Sequence, residues 1–498
     1  MRILYLDLDA LNPGHLGCYG YHRNTSPTMD QLAREGLRMT HCYASDAPCL
    51  PSRTAFYSGR FGIQTGVVGH GATAAQPKIE GPTRGFRDTF DTQGVAGCLQ
   101  KAGFYTVMIS PFGQRHAAWH FYAGFNEMHN TGKGGEESAE DVMPTVQKWF
   151  EDNARKDNWY LHVNFWDVHT PYRAPASYPN PFEDEPVADW FTDELIASHI
   201  KKTGPHSAQD IGMYGDATDA RYPRVPARVT DRASLKQWID GYDTAIRYVD
   251  DQIAWMIRHL KQAGIYEDTA IIVSADHGEN QGDLGIYGEH GTADQATCRI
   301  PMIIKWPEGV SGHVDEGLHY NLDMAPTVME LLGQAAPELW DGQSFAPTIL
   351  NGDFTGRDDL VLSQCAHVCQ RSVRFDRWIY IRTYHDGNHL FPQEMLFDLE
   401  NDPHELHDVA QQHPDVCREG AHRLLRWHDQ QMQKMARTSS DVVDPLWTVI
   451  REGGPFHARN GVNTHILVQY IKRLESTGRA DGAAALRAKY ARELVKTS

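Results

Sequence analysis

The chain holds 498 residues, 41% of them hydrophobic and 22% charged, a balance that buries a core and excludes a disordered polypeptide. A formal charge of −18 argues against non-specific binding to nucleic acid or to an anionic membrane, because both need net positive surface. It leaves room for an anionic substrate held by a local cluster of Arg, His and metal, and the length predicts one large domain with a smaller appendage.

The N-terminal stretch "MRILYLDLDALNPG" is apolar only briefly and is interrupted by Asp7 and Asp9, so it fits neither a secretory core nor a membrane span. A cytoplasmic chain is the expectation. Short apolar runs that predict strands recur at 3–9, 37–44, 104–110, 159–167, 270–276 and 301–306. Between them lie helical patterns. "SPTMDQLAREG" offers Ser26 as N-cap, Pro27 at the first helical position and Gly36 as the stop. A longer helix is expected over about 235–261, with Trp238, Tyr242, Ile246, Val249, Ile253, Ile257 and Leu260 on one stripe. Strands too apolar to face water, alternating with helices, imply an α/β fold with a mixed or parallel sheet covered on both faces.

After about 345 the texture changes. "VRFDRWIYIRTY" and "EMLFDLENDPHELHDVA" read as strands of a hairpin or meander, followed by a helix through the 420s and a final amphipathic helix, "GAAALRAKYARELVK". The organisation expected is a catalytic α/β domain over 1–345 and an α+β subdomain over 346–498. "GGPFHARNG" is the most linker-like piece. The terminal helices could form a homo-oligomer interface or cover the small sheet. Eight scattered cysteines do not make a disulfide framework, and the Cys365 and Cys369 pair has no second pair to complete a zinc site.

Ligands of open α/β sheets gather at the carboxyl ends of the strands. Asp7 and Asp9 close the first run, Asp167 and His169 close "WYLHVNFWDVH", and Asp276 and His277 close "AIIVSADHGE". Carboxylates on neighbouring strand ends repel unless a cation joins them, so Asp9, Asp276 and His277 together suggest a divalent metal. Any one of them alone reads more simply as a helix cap. In "CLPSR", residues 49–53, Cys49 stands at what reads as a helix start, where free N–H groups would acidify a thiol. A buried structural cysteine is the alternative, but it has no need of Pro51, Ser52 and Arg53 beside it.

"CLPSR" resembles the C-x-P-S-R signature of the sulfatase family, in the alkaline phosphatase superfamily. "HLGCYGYHRNTSPTMDQLAREG", "HTPY", "ADHGE", "RIPMIIKWP", "NLDMAPTVMELLG" and "LFDLENDPHEL" extend the likeness in order over roughly 2–430. The resemblance implies an alkaline-phosphatase-like fold: a large mixed, mostly parallel sheet between helices, with a smaller C-terminal subdomain. It implies that a dedicated formylglycine-generating enzyme oxidises Cys49 to formylglycine, whose hydrate is the nucleophile and a metal contact. Arg53 would hold that hydrate, and Asp9, Asp276 and His277 would bind the metal, with Ca²⁺ expected and Mg²⁺ or Mn²⁺ as alternatives. Ala10 stands where a second acidic ligand is usual, and Asp7 either compensates or supports from behind.

His290 falls where many members carry a sulfate-binding lysine, and as histidine its charge should depend on pH. His169 matches the histidine near the leaving group, and "SPFGQRH" offers Arg115 and His116 in a shifted register. The substrate implied is a small anionic sulfate ester, a carbohydrate sulfate before an aryl or alkyl one. Trp190 could stack on a sugar or aryl ring, or pack against its own domain. The rival activity is a phosphonate monoester or phosphodiester hydrolase on the same scaffold. A non-catalytic protein of this fold would be expected to lack Cys49, Arg53 or the Asp276 and His277 pair.

Overall fold

A computed structural model describes residues 1–78, 89–109, 112–216, 218–439, 441–459 and 466–495. Eight strands make the large sheet, in the order His313–Tyr320, Leu37–Tyr43, Arg299–Lys305, Thr269–Ser274, Arg2–Leu8, Trp159–Phe165, Tyr105–Ile109 and Glu127–His129. Arg299–Lys305 alone runs antiparallel to its neighbours, and the rest pair in parallel. Every residue of Arg2–Leu8, Trp159–Phe165 and Thr269–Ser274 is buried, as strands covered by helices on both faces must be. The fold is the expected α/β architecture, a mixed, mostly parallel sheet with a smaller C-terminal sheet.

The long helix is Arg232–Gln262, and all seven residues of its apolar stripe are buried. Pro27–Glu35 begins and ends where its punctuation predicts, but Ser26 does not cap it through its side chain. Ser26 Oγ donates instead to Asp30 (2.9 Å), and Asp250, on the long helix, accepts from the N–H groups of Thr28 and Met29, both at 2.9 Å.

The smaller sheet runs Glu394–Asp398, Trp378–His385, Cys369–Phe375, Asp359–Gln364 and Asp46–Ala47. Its first four strands are antiparallel, and the last, contributed from just before Cys49, is parallel. "VRFDRWIYIRTY" is thus two strands turning at 376–377, where Asp376 takes φ 45°. Pro414–Thr438 packs on this sheet through Leu424 and Met435.

The final helix is broken into Ala480–Lys489 and Ala491–Val495. With Ile466–Ser476 it packs through Leu467, Tyr470, Leu474 and Leu486 against Tyr214 and Leu390, while Arg479 pairs with Asp210. These helices therefore cover the 204–216 segment of their own chain and not the middle of the small sheet. Ser110 and Pro111 of "SPFGQRH", Asn460 and Gly461 of the linker-like stretch, and Lys496 of the final helix lie outside the described residues. No helix among the described residues is long and apolar enough to cross a membrane.

Candidate active site

Register brings the acidic strand ends level. Asp7 lies opposite Asn164 and Ser274 on the two flanking strands, and the Asp9 N–H donates to the Phe165 carbonyl at 2.9 Å. The next residue, Ala10, turns through φ 60°, and its N–H donates to Asp276 Oδ1 at 3.2 Å. Ala10 thus supplies a backbone donor that orients Asp276. A non-glycine residue in the left-handed region is uncommon, and Tyr242 holds this one by donating to its carbonyl at 2.7 Å.

Cys49 opens the helix Cys49–Ser58, which is buried at every position. One turn on, Arg53 lies on the same face and spreads its guanidinium over three carboxylates: Nε to Asp7 at 3.0 Å, Nη2 to Asp9 at 2.9 Å and Nη1 to Asp276 at 2.8 Å. Burial pushes Asp7 and Asp9 up, but Arg53 together with His162 at Asp7 and with His277 at Asp9 holds both below the usual carboxylate range. Asp276 goes the other way, pushed up to about 7 by burial against the opposing Arg53 and with Asp9 adding to the rise. Burial, with Asp9 and Asp276 behind it, also pushes the Cys49 thiol well above its ordinary value. The acidified thiol expected from a helix start is overridden by burial, with two carboxylates delivered from other strands adding to it.

One ligand atom from each of Asp9, Cys49, Asp276 and His277 lies within 4.8 Å of all the others. Asp9 Oδ1 and Asp276 Oδ2 are buried and accept no hydrogen bond, although Arg53 Nη1 pairs with the latter at 2.8 Å. His277 Nδ1 donates to the Gly278 carbonyl at 2.8 Å, which turns a lone pair on Nε2 towards Cys49 Sγ, 3.1 Å away. Two buried carboxylate oxygens free of hydrogen bonds and an oriented imidazole fit a hard divalent ion. Asp7 is not brought to this cluster. Its Oδ2 is taken by Arg53, by His162 at 3.3 Å and by Asn164 at 3.2 Å, so it supports the guanidinium from behind.

The His290 ring stacks on His277 with centroids 4.0 Å apart, between Glu279 and Glu289, each 3.4 Å from a ring nitrogen. His169 stands 5.0 Å from His290 and donates from Nδ1 to its neighbour's carbonyl, that of Thr170. Burial drives His290, His169 and His116 well below the ordinary histidine value, helped by His277, Arg115 and Arg53 respectively. Arg115 lies 4.5 Å over Trp166, which also carries Arg53 at 5.2 Å, and His116 flanks the same indole at 6.4 Å.

Other expected residues take the simpler reading. Asp167 accepts from the Ala139 N–H at 3.0 Å at the start of the helix Ala139–Asn153, and Trp190 stacks on Phe191 and His404, 3.7 and 3.9 Å away. The sequence reading passed over Glu279, Glu289 and Trp166. The first stood in "ADHGE" and the last in "NFWDVH" without being singled out.

The model of the Sulfatase family matches residues 2–334. The chain belongs to the sulfatase family. A second model, of the C-terminal region of N-sulphoglucosamine sulphohydrolase, matches this sulfatase-family hydrolase over 285–430. The chain is 25% identical to an N-acetylgalactosamine-6-O-sulfatase of Bacteroides thetaiotaomicron, over 84% of this chain and 91% of that protein. It is 26% identical to a choline-sulfatase of Rhizobium meliloti, over 78% of each. A phosphonate monoester hydrolase of Agrobacterium radiobacter superimposes with a TM-score of 0.65 at 18% identity, over 86% of this chain and 96% of that one, a likeness of fold.

Proposed function

We propose that this enzyme hydrolyses the sulfate ester of a small anionic substrate, a carbohydrate sulfate in preference to an aryl or alkyl one, with residue 49 as the nucleophile. The observation that carries the reading is the meeting of Asp9, Cys49, Asp276 and His277 around two buried carboxylate oxygens that accept no hydrogen bond. Asp9, Asp276, His277 and residue 49 would hold a divalent ion, Ca²⁺ before Mg²⁺ or Mn²⁺, which when bound stabilises the negative charge on the sulfuryl oxygens. The likeness of Cys49–Arg53 to the C-x-P-S-R signature supports conversion of Cys49 to formylglycine.

The chain's own groups do the rest. Arg53, locked by three carboxylates, keeps a positive charge beside residue 49 at no reorganisation cost. His290 and His169 stand 5.0 Å apart, the first able to present an N–H to a sulfuryl oxygen. His169, whose Nδ1–H is held by the Thr170 carbonyl, has Nε2 left for the departing alcohol oxygen and donates there only once that nitrogen is protonated. Arg115 and His116, ordered on Trp166, supply further donors beside the sulfate.

Mass spectrometry of the peptide containing Cys49, from protein made with a formylglycine-generating enzyme, should show loss of sulfur and gain of an aldehyde. The same preparation should cleave an aryl sulfate faster than an aryl phosphonate ester. An intact thiol would sink the formylglycine mechanism, and the reverse rate order would make the enzyme a phosphonate or phosphodiester hydrolase.

A further inference from the structure

Three imidazoles from remote parts of the chain converge outside the ion site. His70 follows the short helix Gly62–Thr65, His367 lies in the turn between Asp359–Gln364 and Cys369–Phe375, and His457 belongs to the helical turn Phe456–Ala458. One nitrogen of each lies within 4.8 Å of the other two. The backbone fixes the meeting, since the His457 N–H donates to the Ala366 carbonyl at 3.1 Å. His367 and His457 stack with centroids 4.1 Å apart and planes 13° from parallel.

Packing alone does not explain the arrangement. His70 turns Nδ1 to His457 and leaves its other nitrogen, Nε2, buried with no hydrogen-bond partner. A neutral imidazole carries one N–H and one lone pair, so each ring can turn one nitrogen to an ion. His70 Nδ1 and His457 Nε2 are 3.4 Å apart. Two nitrogens bound at about 2.05 Å to a tetrahedral ion stand about 3.3 Å apart. Glu289 Oε1 lies 3.2 Å from His367 Nε2, and its other oxygen is 2.8 Å from His206 Nε2. A carboxylate that takes the Nε2 proton leaves the lone pair on Nδ1, the support that metal-bound imidazoles receive.

We propose that His70, His367 and His457 form a second metal site, distinct from the one at Asp9, Asp276 and His277, that takes a borderline transition ion with Zn²⁺ the best match. All-imidazole donors select Zn²⁺, Co²⁺, Ni²⁺ or Cu²⁺ over Ca²⁺ and Mg²⁺, and three ligands leave a fourth position open. The site adjoins the hydrolytic centre, with His70 5.4 Å from His116 and His367 6.0 Å from His290. It depends on imidazole positions alone and stands whether or not the sulfate reading does.

The test is a Co²⁺ titration of the full chain, stripped with chelator and then saturated with Ca²⁺, followed by visible absorption and competed with Zn²⁺. One Co²⁺ should bind with the intense bands of a four-coordinate ion and be displaced by Zn²⁺. His70→Ala and His457→Ala should each weaken it about 100-fold, and Glu289→Gln at least about 10-fold. Circular dichroism and melting establish that each variant is folded, and His70→Asn replaces any that is not. Weak six-coordinate bands, or none, would overturn the site. So would bands that persist in His457→Ala with thiolate-to-cobalt charge transfer, which would place the ion on Cys49, His277 and His290. A melting shift with sulfate instead of metal, lost in His457→Ala, would make the cluster an anion subsite.

Discussion

Arg53 concentrates the electrostatics of the site in one side chain. Its planar fork meets Asp7, Asp9 and Asp276 at once, a geometry that a lysine's single ammonium cannot reproduce. Arg53→Lys should cost about 3 kcal/mol of stability, read by denaturant unfolding, because a buried carboxylate is left unpaired. It should also lower kcat/KM on an aryl sulfate by at least about 100-fold. Cys49→Ala should lower turnover by at least about 10³-fold while leaving the fold unchanged by circular dichroism. An Ala variant with near-normal turnover would remove residue 49 from the chemistry. Asp9, Cys49, Arg53, Asp276 and His277 were legible in the sequence because each sits in a short contiguous motif or at the end of an apolar run. The state of the thiol was not, since the rule for a helix start sees the local N–H groups and not the burial, or the carboxylates, that the rest of the fold brings. His367 and His457 were illegible for the same reason, as nothing near either residue marks what the fold places beside it.

At the scale of elements, Asp250 shows one helix capping another. Its carboxylate accepts the first N–H groups of Pro27–Glu35, and burial, against those hydrogen bonds, pushes it up to about 6. An acid raised above its unfolded value binds its proton more tightly in the folded chain, so this contribution is full below about pH 4 and is lost as pH rises through 6. Asp250→Asn should remove up to about 3 kcal/mol of that pH dependence, visible as a flatter plot of unfolding free energy from pH 4 to pH 7. An unchanged slope would mean the group is ionised in the folded protein at pH 4. The central strands were readable because strands covered on both faces are apolar throughout. His313–Tyr320 and Glu127–His129 were missed because they are the two edges of the sheet, where half-exposed positions admit Asp, Glu and His and dilute the pattern.

For the whole molecule, an ion that binds only the folded chain should raise its melting temperature by mass action. At a free concentration of 100 times Kd the gain is about 2.7 kcal/mol, which for a chain of this length is about 3 °C. Calorimetry with and without Ca²⁺ should show that rise in the native protein and lose it in Asp276→Asn. A rise that survives the substitution would place the ion elsewhere. The two sheets are joined at the site itself. Asp46–Ala47 closes the edge of the small sheet against Ser363 and Gln364, and Cys49 follows two residues later. A chain cut short after the large sheet would not merely shed an accessory. It would expose the main-chain groups of 46–47 as a sticky border within two residues of the nucleophile, so the two layers should be inherited, expressed and lost together.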